Sequence, residues 1–310
     1  MSKITAISSR VLYNSRGSKT IEVDVVSDEK FIGRVCAPSG ASVGKFEAVS
    51  FPNNSPEESF SILNQNSKKF IGIDSSDLKQ VHDVIHSIDG TENYAEIGGA
   101  CAFAITIAAT ESAAKAENKQ FFQMINNNTD LKFPFPLGNI LGGGAHAGPG
   151  TPDIQEILVA SIGAKTVRES IDMNLQVHKE LKKLILKGDP TFTNGRGDEG
   201  GWAPKFNNEE ALDISVKAIE NLGFTLGKEV ALGVDFASST QWNEEKGKYV
   251  YDRAGFENDS GEQIEFASKI IEKYKLIYAE DAVHEEAFED MAEITKKFPD
   301  SMITGDDLTV

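Results

Sequence analysis

The sequence predicts an α/β protein in two parts, an α+β domain over residues 1–136 and a (β/α) barrel domain over residues 137–310. Three observations predict it. A strand-like opening gives way to a long helical region; a proline-rich stretch, KFPFPLGN, breaks the chain near residue 136; and beyond it three apolar runs each end in a carboxylate, with a helical pattern between the last two.

The opening runs ITAISSRVLY and TIEVDVVS carry β-branched residues in partial alternation about the turn-forming NSRGSK, which predicts a meander. The next stretch, APSGASVGKFEA, is too poor in large side chains to be a packed element and reads as a loop. Residues 56–119 turn helical, first polar around PEESFSILNQNSKKF, then small and apolar from Ile97 to Ala114. The prolines of KFPFPLGN close this part, because each removes a backbone donor and disfavours helix before it. IQEILVA is then a candidate strand, and VRESIDMNLQVHKELKKLILK a helix with Ile171, Leu175, Leu181, Leu184 and Ile185 at helical spacings. NNEEALDISVKAIENLG is a second helix, with an Asn cap at its start and Gly223 at its end. Last, VALGVD runs into Asp235, LIYAE into Glu280 and SMITGD into Asp306, with the helix EEAFEDMAEITKKF between the second and third. Strands of this kind alternating with helices predict parallel βα units, and acids at strand ends predict the C-terminal rim of a barrel.

The bulk composition excludes several classes. A formal charge of −17 with no basic run gives no footprint for nucleic acid. An acidic protein acting on an anionic substrate needs metal ions or local cations to offset repulsion. Cys36 and Cys101 both sit in apolar contexts, which fits a reducing cytoplasm rather than a disulfide framework. The start lacks a signal-peptide core, and no run approaches the ~18 apolar residues of a membrane span.

Parallel strands would carry Asp235, Glu280 and Asp306 to one rim, where three converging carboxylates need a cation. All-oxygen ligands favour a hard ion, Mg²⁺ above the transition metals. The competing reading is that each acid caps the following helix. GDEGG, residues 197–201, falls on the same rim, with His146 of GGGAHAG and Gln155 and Glu156 of IQE within reach. Taken alone, GDEGG reads as a solvated turn rather than an active-site loop, and His146 as a structural histidine. Near a metal, paired carboxylates are a common way to separate an acid from a spectator, which makes Glu199 a candidate proton exchanger.

These residues, in this order, resemble the enolase family. The match runs from end to end through NSRGSKTIEV, PSGASVG, GGGAHAG, IQE, GDEGGWAP, VDFASS, YAEDAV and GDDLTV. The resemblance implies a cytoplasmic lyase, a phosphopyruvate hydratase that reversibly dehydrates 2-phosphoglycerate to phosphoenolpyruvate in glycolysis and gluconeogenesis, with two Mg²⁺ ions per site and a homodimer when complete. Carried over by motif, Asp235, Glu280 and Asp306 would hold the first Mg²⁺, and Ser42 would help hold the second together with the substrate phosphate. Glu199 would be the general acid with Glu156 as its partner, while His146 and Gln155 would line the substrate pocket.

Lys19, Val43 and Ala282 depart from the family's usual proline, threonine and proline. The family's proton-abstracting lysine, its His-Arg-Ser phosphate contact and a second substrate-binding lysine have no match here. From residue 137 the barrel part falls short of the ~250 residues typical of a closed eight-stranded barrel. The expectation is therefore an enolase-type barrel that is incomplete in this chain, a fragment without activity on its own. Two alternatives are another member of the wider superfamily, against which IQEILVAS lacks the lysine pair, and a non-catalytic enolase-like scaffold that has lost its base.

Overall fold

The computed structural model describes residues 2–40, 43–126 and 131–310, and the chain divides into two compact units. One holds the described residues up to 40 and from 47 to 131; the other holds residues 43–46 and those from 132 onward.

In the first unit β1 (Ile4–Tyr13), β2 (Lys19–Ser27) and β3 (Phe31–Cys36) form the expected antiparallel meander, in the order β1-β2-β3. On the central β2, Ile21, Val23 and Val25 are fully buried, because alternate residues of a strand share a face. The helical region resolves into α1 (Pro56–Asn66), α2 (Leu78–His86) and α3 (Gly99–Ala116), followed by the short α4 (Phe121–Ile125). Most buried positions of α3 are alanine. With so little side chain in the way, β3 lies almost on the backbone of α3, and a Cβ on Gly33 would sit 2.7 Å from the Ser112 amide nitrogen. The loop between α2 and α3 is organised by the buried Asp89, whose carboxylate accepts the backbone N–H groups of Thr91, Glu96 and Ile97.

The second unit opens with β4 (Leu137–Gly142) and β5 (Glu156–Ala160), then α5 (Val167–Gly188) and α6 (Asn208–Asn221), then β6 (Ala231–Asp235). The small strands β7 (Trp242–Asn243), β8 (Lys248–Tyr251) and β9 (Phe256–Asn258) and the helix α7 (Ser260–Tyr274) come next. The described chain closes with β10 (Tyr278–Glu280), α8 (Phe288–Lys297) and β11 (Met302–Thr304). Five strands form one sheet in the order β11-β10-β6-β5-β4, so the barrel is open, with β4 and β11 at its edges. The three strands that end at or just before the predicted metal acids are parallel, as expected. β5 is not: it runs antiparallel to both β4 and β6. Only a single 3-10 turn at Gly144–His146 and no α-helix lies between β4 and β5, so the chain doubles back, and α5 and α6 then follow without a strand between them. Residues 242–274, for which the sequence suggested no element, form a small antiparallel sheet of order β7-β8-β9 and then α7, capped by a reciprocal Asp259–Glu262 pair. The sheet packs Ile157, Val159, Leu232 and Val234 against a core that includes Val177, Leu181 and Ile185 of α5. No helix among the described residues is long and apolar enough to cross a membrane.

Candidate active site

The antiparallel β5 places Glu156. Parallel strands bring their C-terminal ends to one rim, so an antiparallel neighbour must bring its N-terminal end there. Glu156 opens β5 and pairs with Asp235, which closes β6; Asp235 pairs in turn with Glu280, which closes β10. Residues paired across strands point to the same face, so three carboxylates stand side by side. Asp235 is 6% exposed and takes part in no ion pair among the described residues. Its two oxygens accept from Gln155 Nε2 at 3.1 Å and the Ala237 backbone N–H at 2.9 Å. Burial, with Glu280 and Glu156 beside it, pushes the Asp235 carboxyl up to about 8. Burial likewise raises Glu280 to about 7; the Tyr278 hydroxyl, donating to Glu280 Oε2 at 2.7 Å, works against the rise, and the acids around it add to it.

Beside this row lies a second cluster. His146 Nδ1 is 3.0 Å from Glu156 Oε1, and His146, Glu156 and Glu199 all offer ligand or proton-carrying atoms within 4.8 Å of one another. The Glu156 carboxylate raises the His146 pKa against the opposing effect of burial. Glu199 is raised too, by burial first and then by Glu156, while His146 and Asn139 work in the opposite direction. The loop geometry that presents Glu199 explains the glycines around it. Glu199 sits in the left-handed region at φ 63°, and Gly200 follows at φ 86°. A Cβ on Gly201 would sit 2.8 Å from the Gly142 amide nitrogen, and one on Gly197 2.5 Å from the His146 carbonyl oxygen, so only glycine lets the loop lie this close. Trp202 then pairs with one edge of β4 about Leu141, donating to the Ile140 carbonyl at 3.1 Å and accepting from the Gly142 amide at 2.9 Å.

The structure thus brings together His146, Gln155, Glu156, Glu199, Asp235 and Glu280. Asp306 is among the acids whose charge raises Glu280, while the one trio of such side chains within 4.8 Å of one another among the described residues is His146, Glu156 and Glu199. Asp306 lies two residues past β11, exposed, in a turn whose Asp306 and Asp307 N–H groups, each at 3.0 Å, are accepted by the buried Asp281. Ser42 lies outside the described residues. Three residues here had no assigned role in the sequence. Tyr278 is signalled by its two-residue spacing from Glu280 on one strand, Asp281 by its place in YAEDAV, and Asn139 by nothing local.

The donor set suits a hard cation: Asp235, Glu280 and Glu156 offer oxygen only, and the row has no lysine or arginine paired to it among the described residues. Comparison with known proteins gives the family. The description "Enolase, N-terminal domain" matches residues 4–125, and "Enolase, C-terminal TIM barrel domain" matches residues 130–310. The enolase of Methanosphaera stadtmanae is 42% identical over 303 residues, 97% of this chain and 73% of that protein. That of Methanothermobacter thermautotrophicus is 43% identical with the same coverage, and that of Archaeoglobus fulgidus 38% identical over 97% of this chain and 72% of its own. With both family domains matched in order along nearly all of its length, this chain belongs to the enolase family.

Proposed function

We propose that the protein takes part in the reversible dehydration of 2-phosphoglycerate to phosphoenolpyruvate, in the cytoplasm and within glycolysis and gluconeogenesis. The observation that carries the reading is the Glu199–Glu156–His146 cluster set beside a row of acids with no lysine or arginine paired to it among the described residues. The barrel part, residues 137–310, supplies the chemistry, with residues 1–136 as its companion domain.

In this reading Asp235, Glu280 and Asp306 hold one Mg²⁺, and Ser42 helps with a second. When bound, the ions neutralise the substrate's carboxylate and phosphate and stabilise the charge that develops as the carbon-2 proton leaves. Desolvation and the neighbouring Glu156 raise the Glu199 pKa above the ordinary carboxylate value, which favours its protonated form. Glu199 delivers that proton to the carbon-3 hydroxyl, which departs as water. Glu156 holds Glu199 in its protonated form. His146 and Gln155 orient the substrate, Gln155 being itself fixed by its bond to Asp235. The lysine that would take the carbon-2 proton matches nothing in these residues, so the 310 residues alone turn over no substrate. The complete assembly is a homodimer.

Phosphoenolpyruvate formation by the purified chain with saturating Mg²⁺ tests the second half of this reading, and turnover of ~1–10³ s⁻¹ would overturn it. Adding a separate polypeptide that carries the rest of a barrel tests the first. In that assembly Glu199→Gln abolishes dehydration yet spares exchange of the carbon-2 proton with solvent, whereas Asp235→Asn impairs both. Equal loss of both in Glu199→Gln, with Mg²⁺ binding intact, removes the acid role.

A further inference from the structure

The loop that presents Glu199 is gripped from behind by α5. We propose that His178 is a positioning residue for Glu199: it fixes the Gly200 carbonyl, and through it the backbone turn that aims Glu199 at Glu156 and His146. This rests on the reading of Glu199 as proton donor.

His178 Nε2 lies 3.1 Å from the Gly200 carbonyl oxygen. A carbonyl can only accept, so Nε2 carries the proton. The grip is reciprocal. Trp202 Nε1 donates to the His178 carbonyl oxygen at 2.9 Å, and the two rings stack with centroids 4.6 Å apart and planes 22° from parallel. One side chain thus binds the loop backbone at residue 200, the other binds the helix backbone at residue 178, and their faces close the clamp. The helix that supplies His178 is 22 residues long, with Val177 and Leu181 in the core on either side of it.

Such a clamp answers a need of the loop. Glu199 and Gly200 are consecutive left-handed residues, and a side chain at the first of them is held there against its preference. Within the loop the Gly197 N–H donates to the Gly201 carbonyl at 2.9 Å, the Ala203 N–H to the Gly195 carbonyl at 3.0 Å, and the Gly200 N–H more loosely to the Gly197 carbonyl at 3.3 Å. The Gly200 carbonyl lies in the peptide unit just beyond the one that joins Glu199 to Gly200, so the bond from His178 restrains the rotation about Gly200 ψ through which Glu199 would swing away. Burial lowers the His178 pKa, with Arg196 and Lys182 adding to the effect and the Gly200 bond opposing it. The same two cations flank Trp202, at 4.5 and 5.1 Å from its ring centre.

The test separates the donor from the ring. His178→Phe keeps a flat face for Trp202 and removes the N–H; His178→Gln discards the ring but places an amide N–H at similar reach; His178→Asn carries a donor too short to arrive. Amide hydrogen exchange is followed by mass spectrometry on the 310-residue chain, together with the urea midpoint. His178→Phe and His178→Asn are expected to speed exchange across residues 197–202 about tenfold or more, leaving β6 and α6 unchanged, and His178→Gln to return it to within about threefold of the parent. Should His178→Phe lose protection throughout the unit, the Asn and Gln pair carries the comparison. Exchange as fast in the Gln variant as in the Asn variant, or no change in either, overturns the proposal. Glu199→Gln leaves this exchange unaltered whatever its effect on dehydration, so failure of the acid reading is distinguishable from failure of the clamp.

Discussion

Loading the site with Mg²⁺ should release protons from the buried acids. Asp235 is held at about 8 and Glu280 at about 7 by burial and by neighbouring acids. At pH 7 the first is therefore roughly nine-tenths protonated and the second roughly half. A carboxylate must be ionised to bind a cation, so one ion seated between them displaces between about one and one and a half protons at pH 7. Calorimetric titration of the 310-residue chain with MgCl₂, in buffers of different ionisation heat, reads this number from the slope of heat against buffer enthalpy. Release should fall toward zero above pH 9, and Asp235→Asn should remove most of it. Release below about 0.3 proton at pH 7, with binding observed, would show that the ion sits elsewhere or that the two acids are already ionised. The sign for stability follows from the same values. Acids whose folded pKa is raised stabilise the fold below the unfolded value near 4, and that contribution is lost as pH climbs through about 7 to 8. Metal-free protein should thus weaken over this window, and Mg²⁺ should restore most at its upper end.

Three further outcomes concern the first unit. Gly33→Ala forces a methyl against the backbone of α3 at Ala108 and Ser112, and should cost about 1–3 kcal/mol, read as faster proteolysis or an earlier urea transition of that unit; unchanged resistance would mean α3 can retreat freely. Asp89→Ala strips one buried and two part-buried N–H groups of their acceptor and should cost about 2–4 kcal/mol, with exchange rising first over residues 90–98. Asp24 is bonded to Arg34 and Arg10, and Arg34 first of all holds its carboxyl below the usual range against the effect of burial. Its stabilisation is complete above the unfolded value near 4 and is lost as pH falls through the lower folded value, so Asp24→Asn should flatten the acid limb of the unit's stability curve and leave the limb above pH 6 unmoved.

Much of the molecule is determined by local chemistry and was legible without coordinates. The alternation in TIEVDVVS, the Asn cap and terminal glycine around α6, and the apolar runs ending at Asp235 and Glu280 each set an element through period or punctuation that acts over a few residues. The motifs of GGGAHAG, IQE and GDEGG likewise pointed to the residues that the fold gathers. Direction and distance were decided by tertiary structure. That β5 runs against its neighbours depends on a chain reversal which strand period cannot show, and only that reversal puts Glu156 level with Asp235. Asp306 shares the strand-then-acid pattern, but that its turn is fixed by the buried Asp281 is a contact the pattern does not show. The hairpin strands β7 to β9 are two to four residues long, too short for a periodic signal. His178 looks like any residue of an amphipathic helix until Gly200 and Trp202, more than twenty residues on, fold over it. Hydrogen bonds and charge shifts of this kind arise from groups far apart in the chain, so they exist only once packing has fixed the distances between them.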